Sequence, residues 1–157
     1  MSRTDKWMRC ALVILATGIL GCSDDPTGPE EPVPAAIEWQ HCNFDSVMAS
    51  ATSRHRDVVV IVTAEWCGPC TFYRDNMWTD PRLIDLVSRH MTAFELDPTN
   101  RDVPLCDERI VIPPILGEVH GIPATFLVRD GVVVRKFGGS RSPEELYSWL
   151  LAGYLDR

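Results

Sequence analysis

The sequence has no apolar run of about 20 residues, the length that a membrane-crossing helix needs. Cations are scarce: Lys and Arg number 15 against 22 Asp and Glu, for a formal charge of −7. That deficit argues against nucleic acid as a partner. No phosphate-binding glycine loop, Ser-His-Asp arrangement, paired-carboxylate motif or internal repeat is present. The four histidines, His41, His55, His90 and His120, follow no metal-ligand spacing and are expected at the surface or in loops. With 157 residues, 45% of them hydrophobic and 24% charged, the chain is neither collagen-like nor disordered throughout, and its length suits one ordinary domain.

The N-terminus reads as a leader. Arg3, Lys6 and Arg9 form a basic start, and residues 10–20 are an uncharged apolar run of eleven. This is the length of a secretory signal core rather than of a membrane span. The run ends in Ile19-Leu20-Gly21-Cys22, which resembles the lipobox of bacterial lipoproteins, although Leu20 is bulkier than the usual occupant of its position. The resemblance implies cleavage before Cys22 and a diacylglycerol thioether on its sulfur. A plain secretory signal and an uncleaved anchor are the alternatives. Ser23 follows, not the Asp that retains some lipoproteins at the inner membrane. Residues 23–36 hold four Pro and four acids and almost nothing apolar, so they cannot offset the entropy of ordering and read as a flexible tether. The expected organisation is a signal peptide over 1–21, a lipidated cysteine with its tether over 22–36, and one folded domain over 37–157.

Within that domain the patterning is mixed α and β. Residues 37–39 are a short strand candidate. Asn43 can cap a helix over 44–54, with Phe44, Val47, Met48 and Ala51 at helical spacing. Residues 58–63 (VVVIVT) are a β-branched run of the kind buried on both faces of a sheet. Helices are expected over 67–77 and 82–90, the second restarted by Asp80-Pro81, and a strand over 91–96. Residues 97–121 are rich in loop signals. Residues 125–128 and 132–137 flank an Asp130-Gly131 turn and read as a hairpin. Ser142 and Glu145 form a capping box for a last helix over 143–155. Arg54, Arg56, Arg82 and Arg89 read as solvated helix faces.

The chemistry lies in Trp66-Cys67-Gly68-Pro69-Cys70. Two sulfurs three residues apart at a strand-to-helix junction can close a small disulfide ring. The free N–H groups and positive dipole end of the helix favour thiolate over thiol at Cys67. Pro69 sits in the first turn, where its missing N–H costs nothing. Cys70 lies deeper and is the less acidic partner. A c-type haem site would need His after the second Cys, where Thr71 stands, and zinc would need two further ligands with no second paired cluster to supply them. A redox-active dithiol is favoured over a metal site and over a fold used only for binding. No metal or cofactor is called for.

Ala64-Glu65-Trp66-Cys67-Gly68-Pro69-Cys70 after a hydrophobic strand closely resembles the thioredoxin family. Gly121-Ile122-Pro123-Ala124-Thr125-Phe126 is similar to that family's cis-proline loop, and Lys136-Phe137-Gly138 to its last strand and following glycine. These segments come in the family's order and cover nearly all of 37–157. The resemblance implies an α/β thioredoxin fold, a single domain with a central mixed β-sheet flanked by helices. It implies Cys67 as attacking and Cys70 as resolving thiol, with Trp66, Gly68, Pro69, Ile122 and Pro123 contacting substrate and Gly138 completing an apolar rim. Pro123 would be cis, bringing the backbone at Ile122 beside the sulfurs to pair with a substrate strand.

Two departures stand out. The family's buried acid falls at Ile61 and its lysine partner at Ala93, so both charges of the pair are replaced together. Glu65 is the nearest remaining carboxylate along the chain and a candidate, beside water, for taking the proton of Cys70; a solvated loop acid is the favoured reading of it. The second departure is an insertion over 98–120, about ten residues longer than the family's connection, carrying Cys106. In the family's sheet the first and third strands are parallel neighbours ~4.8 Å apart, within the roughly 4.4–6.8 Å Cα separation of a disulfide. Cys42 follows the first and Cys106 the third, so the resemblance implies a Cys42–Cys106 bridge, with two buried free thiols as the alternative. The expected function is thiol–disulfide exchange on exported proteins, in the reducing direction that Gly68-Pro69 and Ile122 resemble. Partners would be protein disulfides and a membrane thiol-electron donor, with the lipid anchor at a bacterial membrane, the protein monomeric and no nucleic acid bound. The rival is a binding module that displays the insertion, the dithiol being incidental.

Overall fold

The computed structural model describes residues 32, 34–99 and 111–156. The expected signal peptide, Cys22, most of the tether and Cys106 lie outside the described residues. The chain divides into units Met1–Glu31 and Pro32–Arg157, and every described residue belongs to the second.

The elements run β1 (Trp39–Gln40), α1 (Phe44–Ser53), β2 (Asp57–Val62), α2 (Gly68–Asn76), α3 (Pro81–His90), β3 (Met91–Leu96), a 3-10 turn (Pro114–Leu116), β4 (Ala124–Arg129), β5 (Val132–Gly138) and α4 (Pro143–Leu155). They build a five-stranded sheet in the order β1-β3-β2-β4-β5. β1, β3 and β2 are parallel, whereas β4 runs antiparallel to β2 and β5 antiparallel to β4. This is the mixed sheet flanked by helices that the sequence implied.

The central strand explains the two-sided core. Val58 through Val62 are all at most 1% exposed. Side chains alternate between faces along a strand. Val58, Val60 and Val62 therefore join Phe94, Leu96, Phe126 and α1's Met48 and Ala51 on one side. Val59 and Ile61 join Tyr73, Trp78, Leu83, Leu86, Val87, Leu146 and Leu150 on the other, where α2, α3 and α4 pack. Each fully buried Val or Ile contributes about 1.5–3 kcal/mol relative to exposure.

Helix starts follow their caps. Asn43 Oδ1 accepts from the Ser46 N–H at 3.2 Å, Asp80 accepts from the Arg82 N–H at 2.9 Å, and Ser142 and Glu145 cap each other reciprocally. Asp130 and Gly131 take φ of 49° and 77°, the left-handed pair that a tight hairpin turn requires.

Four expectations are corrected. β1 lies at 39–40 rather than 37–39, because its extent is set by pairing with Ala93 and Phe94 and not by its own hydropathy. β2 starts one residue earlier, at Asp57, whose carboxylate receives Arg129 Nε and Nη2, both at 2.9 Å. α2 begins at Gly68, so Cys67 is its cap rather than its first residue. Arg56 is not a solvated helix residue. It donates to the carbonyls of Val87, Ser88 and Arg89 in the last turn of α3 and to that of Met91 at the start of β3, where helix and strand meet with no intervening loop.

Candidate dithiol site

The cysteines sit where β2 hands over to α2, at one edge of the sheet. Past Val62 the Thr63 N–H still reaches the Leu96 carbonyl at 2.9 Å, which holds the strand against β3. The chain then turns, with Cys67 N–H donating to the Ala64 carbonyl at 3.0 Å. Cys67 takes an extended backbone (φ −87°, ψ 98°) and its carbonyl accepts from Cys70 and Thr71 N–H at 3.0 and 3.1 Å. Its Sγ also accepts from the Cys70 N–H at 3.1 Å. The sulfur thus occupies the place that a Ser or Asp oxygen takes at an ordinary helix start.

Cys67 and Cys70 are joined, with S–S 2.00 Å and Cα atoms 5.2 Å apart. Both are nearly buried, Cys70 more than Cys67 (2% against 5% exposed). Ala64 and Ile122 pack against the pair. The Ile122–Pro123 peptide is cis, and the Pro123 carbonyl accepts from Gly139 N–H at 2.7 Å, which ties this loop to the end of β5. Around the recess Gly68, Pro69 and Gly138 are exposed, and Trp66 stands 73% exposed beside it. The structure therefore brings Cys67, Cys70, Ile122 and Pro123 into one place, with Trp66, Gly68, Pro69 and Gly138 at its open side.

Ile61 and Ala93 are buried, at 0% and 3% exposed, within the apolar cluster beneath α2. Glu65 is exposed. The buried carboxylate of this region is Glu95, which patterning alone does not single out. It accepts from Thr63 Oγ1 at 3.2 Å and Arg74 Nη1 at 3.4 Å, and His41 Nδ1 lies 3.6 Å from its other oxygen. Arg74 sits one helical turn after Cys70. A lone acid within Met91–Leu96 is the signal that could have found it. Tyr73, also on α2, is fully buried with its hydroxyl 3.2 Å from Thr125 Oγ1, and burial pushes its pKa up to about 12.

Cys42 is disulfide-bonded, and the bond does not involve Cys67 or Cys70, which are joined to each other. The implied partner, Cys106, lies outside the described residues. The histidines are dispersed: His41 is beside Glu95, His90 Nδ1 is 3.2 Å from the Tyr154 hydroxyl, and His120 faces Glu118. Among the described residues no three His, Cys, Asp or Glu side chains gather as a metal site, and no helix is long and apolar enough to cross a membrane.

Comparison with known proteins agrees with this geometry. Residues 44–153 match the family model described as "Thioredoxin-like domain". "Thioredoxin-3" of Dictyostelium discoideum is 28% identical over 87 residues, covering 55% of this chain and 71% of that protein. Among solved structures, "DsbH Oxidoreductase" superposes with a TM-score of 0.60 at 13% identity, covering 84% of this chain and 97% of the other. A thioredoxin from Thermus thermophilus superposes with a TM-score of 0.57 at 20% identity, covering 75% and 87%. With its Cys67–Cys70 pair set at the head of α2 on the five-stranded sheet, this chain belongs to the family of thioredoxin-like domains.

Proposed function

We propose that this protein is a thiol–disulfide oxidoreductase that reduces cysteines of exported proteins while held to a bacterial membrane by a lipid on Cys22. The observation that carries the reaction is the Cys70 N–H aimed at Cys67 Sγ from 3.1 Å. A hydrogen bond to the charged form, together with the helix dipole, lowers the pKa of the Cys67 thiol.

In the reduced protein, Cys67 thiolate attacks one sulfur of a client disulfide. A Cys67–client bond forms, the client S–S bond breaks, and the client's other sulfur leaves as thiolate. Cys70, deprotonated, then attacks Cys67 Sγ. The Cys67–Cys70 bond forms and the second client sulfur leaves, so two electrons have passed to the client. Ile122, packed on the sulfurs beside cis Pro123, presents backbone to an extended client segment, and Trp66 offers an apolar lip. Oxidised protein must be re-reduced, and outside the cytoplasm a membrane thiol carrier supplies the electrons. Export and anchoring rest on the basic start, the apolar run and Ile19-Leu20-Gly21-Cys22. The Cys42 disulfide, whose proposed partner is Cys106, suits an oxidising compartment.

One observation favours the rival reading as a binding module: Val111, Ile112 and Ile115 of the insertion are 60%, 37% and 42% exposed. Insulin reduction with dithiothreitol as donor separates the two. The wild type should accelerate it and Cys67→Ser should return it to the uncatalysed rate. No acceleration by the wild type refutes the enzymatic reading.

A further inference from the structure

Arg141 lies in the connection from β5 to α4, at the same sheet edge as the cysteines. β5 ends at Gly138, paired with Ala124, the residue after cis Pro123. The Arg141 guanidinium carbon lies 4.3 Å above the Phe137 ring, and Phe137 is paired across the sheet with Thr125, whose hydroxyl meets Tyr73. The charge of Arg141 is felt by the Tyr73 hydroxyl, which lies on α2 three residues beyond Cys70.

This cation stacks on Phe137 but takes part in no ion pair among the described residues. Its Nε is buried without a hydrogen-bond partner, and among the described residues no carboxylate forms a salt bridge with it. The other arginines at this sheet are engaged: Arg129 by Asp57, Arg56 by four carbonyls, Arg135 by the Trp149 carbonyl, Arg74 by Glu95. Glu145, whose charge also couples to Arg141, is committed to the Ser142 N–H and hydroxyl. A guanidinium stacked on an aromatic ring is held in one orientation, so little further entropy is lost when it binds a carboxylate.

We infer that Arg141 is a specificity-determining residue that receives a carboxylate of the client polypeptide lying against the cis-proline loop, so that clients with an acidic side chain beside the attacked cysteine are preferred. In a protein of net charge −7, this is a local exception to a field that repels acidic chains.

The inference rests on the oxidoreductase reading, and the test separates the two. Peptides with one intramolecular disulfide, identical except for Glu or Gln at the positions flanking the attacked cysteine, are reduced by wild type, Arg141→Gln and Arg141→Lys. For wild type we expect KM about three- to tenfold lower for a Glu peptide, with kcat little changed and the preference fading at high salt. Arg141→Gln should lose the preference, its KM for the Glu peptides rising to its own KM for the Gln peptides, and Arg141→Lys should keep part of it. Equal KM for Glu and Gln peptides in wild type, or a preference that survives Arg141→Gln, overturns the role of Arg141 and leaves the dithiol chemistry intact. No turnover of any peptide by wild type overturns the oxidoreductase reading and this inference with it.

Discussion

Arg129 and Tyr73 show what single side chains contribute at opposite ends of the sheet. Arg129 meets Asp57 through two hydrogen bonds and also donates to the Gly153 and Asp156 carbonyls at 2.7 and 3.0 Å, which joins β2, β4 and the end of α4. Asp57 is 2% exposed, so removing Arg129 takes the paired cation from a buried charge. Arg129→Ala should cost about 3–5 kcal/mol in urea unfolding, and a loss under about 1 kcal/mol would show that solvent replaces the pair. Tyr73 gives a pH signature. Its folded pKa of about 12 exceeds tyrosine's ordinary 10.0, so the unfolded chain ionises first. The associated stability is fully present below about pH 10 and is lost as pH rises toward about 12, roughly 2–3 kcal/mol in all. Tyr73→Phe should remove that alkaline component from the stability curve. The same residue scale shows where sequence reading stops. Glu65 adjoins the motif along the chain yet is exposed, whereas Glu95 is buried beside α2 through contacts 21 to 32 residues distant.

At the level of elements, local chemistry is legible and pairing is not. α4 runs over Pro143–Leu155 as its capping box and Pro143 imply, and β3 over Met91–Leu96 as its patterning implies. β1 shares only Trp39 with its expected range, because its extent is set by pairing with β3. The role of Arg56 is hidden in the sequence because it exists only once α3 abuts β3. Arg56→Ala should destabilise the protein by about 1–3 kcal/mol and raise amide exchange in the last turn of α3; unchanged exchange there would contradict its role as a cap. α4 packs closely on the sheet at Gly153, where an added Cβ would lie 2.5 Å from Leu127 Cδ2 and 2.9 Å from Arg135 Cδ. Leu127 is 0% exposed, so the shift that would relieve this contact disturbs the packed core. Gly153→Ala should therefore destabilise by about 1–3 kcal/mol in urea unfolding, outweighing the roughly 1 kcal/mol that alanine's helix propensity would add.

Across the whole molecule the parts converge on one edge. The strand order sets the head of α2, the cis-proline loop and the end of β5 side by side, although the cysteines and β5 lie far apart in sequence. The motif and its order of segments make this architecture readable, since each segment carries its own local signature. Arg141 does not emerge from the sequence, because its stacking on Phe137 without an ion pair is a property of the folded chain. Direction of electron flow is set by the relative stability of dithiol and disulfide: the reductase reading expects a potential near about −270 mV, and one near about −120 mV would make the protein an oxidant. Both directions need the same activated sulfur. Its most direct test is the pH dependence of iodoacetamide alkylation of Cys67 in reduced Cys70→Ser protein, which keeps the backbone N–H that faces the sulfur. The rate should rise through an inflection well below the ~8.5 of a free cysteine; an inflection at ~8.5 would contradict activation of Cys67 by the helix.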